Sequence, residues 1–115
     1  MDEIIREYLI TLAKKKDVIS YQNLCRKCKL PLSMSNPTNN KKLMDALTRI
    51  SKSEAENGRS LLSVLVVGAF SKIPGIGFYT LAKELGKYSG SDDEMEKKAF
   101  FKKERDKVFL DWIKI

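Results

Sequence analysis

The stretch from Leu61 to Tyr79, LLSVLVVGAFSKIPGIGFY, decides how this chain is read. Its first part, Leu61 to Val67, is apolar except for Ser63 and rich in valine, and it is short enough to be a buried strand. Gly68 to Gly77 then carries the turn formers Pro74, Gly75 and Gly77, and Phe78 with Tyr79 offers a brief returning strand. The expectation is a β-hairpin with a longish tip.

Upstream, apolar Ile4, Ile5, Tyr8, Leu9, Leu12 and Ala13 recur at three- and four-residue spacing and predict a first helix from Asp2 to Lys16. Acidic Asp2 and Glu3 at its start and Lys14, Lys15 and Lys16 at its end suit the helix dipole. Val18 and Ile19 read as a minute strand, and Ser20 as the cap of a second helix from Tyr21 to about Leu30, ended by Pro31. Residues 31–40 read as a loop, with Asn36 and Pro37 starting a third helix that runs to about Asn57 and stops at Gly58. In that helix Leu43, Met44, Leu47 and Ile50 share one side, and Thr38, Lys42, Asp45, Arg49 and Lys52 share the other. Glu54 falls on the packed side, so the last turn either frays or pairs Glu54 with Arg59.

Downstream, a short helix is expected from about Thr80 to Leu85, stopped by Gly86. Ser91 and Glu94 form a capping box for a final helix to the carboxyl terminus. Its apolar arc is wide: Phe101, Val108, Trp112 and Ile115 lie on one flank, and Met95, Ala99, Phe109, Leu110 and Ile113 broaden it. The predicted class is therefore α+β, mostly helical and winged-helix-like: three helices plus a short β-hairpin wing, with two additional C-terminal helices. Residues 1–88 form the winged-helix-like domain and 89–115 an amphipathic helix packing on the domain or on a partner.

With these elements in order, the chain resembles the winged-helix half of the alkylguanine DNA alkyltransferases and their catalytically dead relatives. Ile19, Ser20, Tyr21 and Leu24 resemble that family's entry into its second helix, and Leu62 to Val67 its active-site strand. Gly75, Gly77, Phe78 and Tyr79 resemble the glycine and tyrosine stretch that follows. The family's Pro-Cys-His-Arg motif would fall on Leu62, Ser63, Val64 and Leu65, which supply neither a thiol nor an imidazole. The resemblance implies a DNA-binding fold without the alkyl-transfer chemistry. Gly75 to Tyr79 also looks like a feature of small bacterial and phage proteins.

A chain of 115 residues is long enough for one core, and 43% hydrophobic with 32% charged residues is a globular composition. The longest apolar run is far too short to span a bilayer, and the acidic start is unlike a secretory signal, so a cytoplasmic protein is expected. A net charge of +7 favours polyanionic partners.

Candidate chemistry is sparse. Cys25 and Cys28 are half of a zinc site at best, with no histidine and no second cysteine pair to complete four ligands, and they continue the apolar stripe of Tyr21 and Leu24. Pro74 to Gly77 lacks the spacing of a phosphate-binding glycine loop, and Ser63 lacks a base. Asp92, Asp93, Glu94 and Glu96 are explained by the dipole at a helix start. The expectation is no catalytic set, no metal and no cofactor.

The basic residues carry the functional reading: Lys14, Lys15 and Lys16 after helix one, Arg26, Lys27 and Lys29 on helix two, and Lys41, Lys42, Arg49 and Lys52 on helix three. Converging on one surface, they would hold phosphates, with Asn39, Asn40 and Arg49 as base-edge readers. The expected partner is nucleic acid. The alternative is a protein-interaction module or inhibitor, or a homodimer, using Phe101, Val108 and Trp112 of the final helix.

Overall fold

A computed structural model describes residues 1–113. The chain runs α1 (Asp2–Lys15), β1 (Ile19–Ser20), α2 (Tyr21–Lys27), α3 (Pro37–Glu56), a 3-10 turn (Leu62–Leu65), β2 (Val66–Val67), α4 (Ile76–Glu84) and α5 (Glu94–Ile113). Among the described residues this makes five helices and one two-stranded sheet, a mostly helical α+β arrangement. Ile115, expected on the apolar flank of α5, lies outside the described residues.

The early helices form where local chemistry starts and stops them. Ser20 accepts the amide of Asn23 at 3.3 Å, and Asn36 accepts those of Thr38 and Asn39, with Pro37 in the first turn. Gly58, at φ 74°, follows the end of α3 in the left-handed region that glycine tolerates best. α2 closes earlier than its sequence suggests. Lys29 turns left-handed and the amide of Leu30 reaches the carbonyl of Cys25, completing the end before Pro31.

The hairpin does not form. Leu61 to Val67 is buried throughout as expected, but its first part curls into the 3-10 turn and only Val66–Val67 is extended. The reason lies in where its amides find acceptors. Ser60 donates to the Asp111 carboxylate at 2.7 Å, Leu61 to Glu104 at 2.8 Å and Ser63 to the Ser51 hydroxyl at 3.0 Å. With side chains of α5 and α3 satisfying these groups, no antiparallel neighbour is required. β2 instead pairs in parallel with β1, Ile19 opposite Val66 and Ser20 opposite Val67.

Phe78 and Tyr79 also belong to a helix rather than a returning strand. Gly75 precedes α4, and Phe78, Tyr79, Leu81 and Ala82 are its buried residues at helical spacing. α5 is capped by Asp93, whose carboxylate accepts the amides of Met95 and Glu96, so the expected Ser91 box gives way to a nearer acceptor that also suits the dipole.

The core joins α1, α3, the 3-10 turn and α5. Two buried glutamates bind its layers. Glu54 of α3 meets Arg6 at 2.6 Å and also Arg59, and both guanidinium groups lie over the Trp112 ring, 5.5 and 5.3 Å from its centroid. The last turn of α3 is therefore pinned, with Arg59 as the expected partner and Arg6 as an additional one. Among the described residues no helix is long and apolar enough to cross a membrane.

Candidate nucleic-acid interface

The cations predicted to converge are divided by the packing of α1 against α3. Asp2 meets Arg49 and Arg6 meets Glu54, so the two helices run in the same sense along their contact. Lys14, Lys15 and Lys16 lie beyond that contact in one direction, and Lys41 and Lys42 lie before it in the other. At 1.5 Å of rise per residue, Lys14 and Lys42 stand about 25 Å apart or more. Lys16 shares a groove with Asp106, Phe109, Leu110 and Ile113 of α5, and Lys52 shares another with Ala55, Glu56, Leu85 and Lys87. A single surface uniting all ten basic residues is thus corrected to separate groups.

The cations of α2 and of early α3 are linked through the loop between them. Gln22 of α2 accepts the amide of Met34 at 2.9 Å, and the amide nitrogen of Asn40 reaches the Met34 carbonyl at 3.5 Å, so the intervening loop fastens the start of α2 to the first turns of α3. Arg26, Lys27, Lys29, Lys41 and Lys42 are all exposed on these elements. Lys41 pairs with Asp45 at 3.0 Å. Arg26 is steadied by Asn23 at 3.2 Å.

The expected base readers differ in freedom. Arg49 is engaged by Asp2 through two bonds, Nε at 2.8 Å and a terminal nitrogen at 3.1 Å. That guanidinium holds the Asp2 carboxyl below its ordinary range. Asn40 turns toward Met34, while Asn39 is half-buried beside the Asn36 cap.

In the sequence only Asp17 and Asp45 interrupt the basic residues from Lys14 to Lys52, and a second acid-free stretch that sets this side apart goes unmarked. Residues 18–44 hold no Asp or Glu and five Lys or Arg, and residues 57–83 hold no Asp or Glu and three. The fold lays these two stretches against each other. β1 pairs with β2, α2 packs on both strands, and the Gly75 amide donates to the Tyr21 hydroxyl at 2.8 Å. The acidic residues are carried mainly by α1, the later part of α3 and α5. The exposed lysines of α5, Lys98, Lys102, Lys103 and Lys107, were also not singled out.

Other marked residues take structural places. Phe101, Val108 and Trp112, expected to meet a partner, are turned into the chain's own core, because α5 packs that flank on α1 and the 3-10 turn. What α5 leaves outside is Met95, Leu110 and Ile113, with Phe109 half-buried. Cys25 and Cys28 are buried free thiols, and burial pushes both up in pKa, which keeps them protonated. Ser63 is buried and bonded to the Ser51 hydroxyl at 2.6 Å.

Against protein-family models, curated proteins and solved structures, the chain finds no match.

Proposed function

We propose that this chain is a non-catalytic nucleic-acid-binding protein of the winged-helix-like kind. In this reading α3 is the presented helix, the loop from Gly68 to Pro74 stands where a wing would, and α2 with the opening of α3 holds phosphates. The supporting observation is the joining of the two acid-free stretches, which leaves the cations of α2 and early α3 on a side with few carboxylates to cancel them. The outer face of α3 is also open, with Thr38, Lys42, Asp45, Arg49 and Lys52 all exposed. Lysines position a backbone without reading bases, and Arg49 is occupied by Asp2, so sequence preference is modest.

The test is a titration of a generic duplex at low and moderate salt. If the five cations each meet a phosphate, affinity falls about a hundredfold or more between roughly 50 and 200 mM salt. Charge reversal of Lys27 and Lys42 together costs far more affinity than reversal of Lys102 and Lys103 on α5. No binding at the lower salt, or equal losses from the two pairs, removes the proposal.

A second reading, a protein-interaction module or homodimer, draws on the groove lined by Phe109, Leu110 and Ile113, where Leu110 is 60% and Ile113 52% exposed. It moves the contact from the buried flank of α5 to the neighbouring one. Leu110→Asp is the probe: unchanged molar mass in solution and unchanged partner capture would end this reading.

A further inference from the structure

Phe70 is 99% exposed, the most exposed of the large apolar side chains among the described residues. It does not dangle from a loose segment. The loop around it is closed by the Gly68 amide donating to the Ile73 carbonyl at 2.9 Å and the Lys72 amide donating to the Gly68 carbonyl at 3.0 Å. The Ser71 hydroxyl adds a bond to the Ile73 carbonyl at 3.2 Å, and it packs so closely on Gly68 that a Cβ there would collide with it. This is a built turn that holds a phenyl ring in water.

Two residues along, Lys72 sits at φ 61°, in the left-handed region where glycine or asparagine costs less. Lys16 and Lys29 share that conformation, but each ends a helix, where a cation complements the dipole. Lys72 ends no helix. One short loop therefore carries a fully exposed aromatic ring beside a cation held in a strained conformation, and backbone strain of this kind gathers where a ligand is met. The loop also leans on the start of α2: Lys72 lines a shallow depression with Val18, Ser20 and Asn23. It thus belongs to the acid-free side.

We propose that Phe70 is a stacking post for an unpaired nucleobase, with Lys72 taking the adjoining phosphate. This rests on the nucleic-acid reading above. An aromatic ring beside a cation is the pairing that single strands require, because every base offers a π-face and every linkage a charge. A protein partner would be expected to surround such a ring with further exposed apolar area. The chain neighbours of Phe70 are Ala69, Ser71 and Lys72, and the one other large apolar side chain exposed between Gly68 and Gly77 is Ile76, six residues on.

The test is fluorescence anisotropy of the full chain with a labelled oligothymidine of about 15 nucleotides, and with a duplex of equal length. Phe70→Ala should weaken oligothymidine binding about tenfold or more, whereas Phe70→Tyr should keep it within about threefold of the unaltered chain. Because the ring makes no core contact, both variants should melt where the parent does. Lys72→Gly should bind more weakly while melting slightly higher, since it removes a charge and relieves the left-handed strain. If Phe70→Ala binds like the parent while reversal of Lys27 and Lys42 abolishes binding, the stacking post is wrong and the phosphate-binding reading stands. If the parent binds neither ligand, both fall.

Discussion

α3 and α5 are both twenty residues long, and each buries one glutamate, Glu54 and Glu104, each only 1% exposed. They hold that charge differently. Glu54 uses both oxygens, Oε1 toward Arg6 and Oε2 toward Arg59, and the two guanidinium groups share the Trp112 ring. Glu104 uses one oxygen: its Oε2 accepts the Leu61 amide at 2.8 Å and lies 3.6 Å from the Lys87 ammonium. α3 is thus tied by side-chain charge to α1 and to the loop that follows α3, with the Trp112 ring of α5 against both guanidinium groups, whereas α5 grips the backbone that enters the 3-10 turn. A buried carboxylate can either neutralise cations or organise amides, and this molecule does one with each helix.

Replacing both glutamates by glutamine breaks the comparison most sharply. A glutamine at 54 offers one acceptor oxygen where two are needed and presents an NH2 group to a guanidinium. The loss should be about 2–4 kcal/mol, below the full cost of a broken buried pair because Arg6 and Arg59 can partly turn to water. At 104 the remaining oxygen can still accept the Leu61 amide, so Glu104→Gln should cost about 1 kcal/mol. Urea unfolding at neutral pH checks the ordering. A Glu104→Gln loss equal to that of Glu54→Gln would mean that the Lys87 contact, and not the amide, carries the tie on α5.

The same contrast explains which parts of the fold could be read in advance. The first helix, the Ser20 cap and the Asn36–Pro37 start rest on neighbours within a few residues, and sequence shows neighbours. Leu61 to Val67 looked like a hairpin strand because its apolar character marks burial and nothing more. What curls it is a pair of carboxylates 43 and 51 positions along the chain. Glu54 advertised itself by interrupting an apolar face, while Glu104 was hidden in a helix dense with charges. For the interface, the identity of the cations was legible and their division was not, since the sense in which α1 lies on α3 depends on long-range ion pairs. The absence of acids from 18–44 and 57–83 was in plain view, but it gains meaning only when the parallel β1–β2 pairing brings the two stretches together.

The smallest expected effect concerns the other tie between α1 and α3, the exposed Asp2–Arg49 pair, which makes the same kind of contact as Arg6–Glu54 without the burial. Its hydrogen bond to Arg49 holds the Asp2 carboxyl below its ordinary pKa, so the folded chain binds that proton less readily than the unfolded one. The resulting stability is complete above the ordinary carboxyl range and disappears as pH falls through the lower folded value. Solvent screens a pair this exposed, so Asp2→Asn should melt only slightly below the parent at neutral pH. The gap should close in acid, once Asp2 of the parent is itself protonated. Thermal melts of both proteins from neutral pH down to about pH 3 follow the convergence. A gap of constant size across that range would show that the asparagine acts through helix capping or packing, leaving the exposed charge pair with no part in holding α1 to α3.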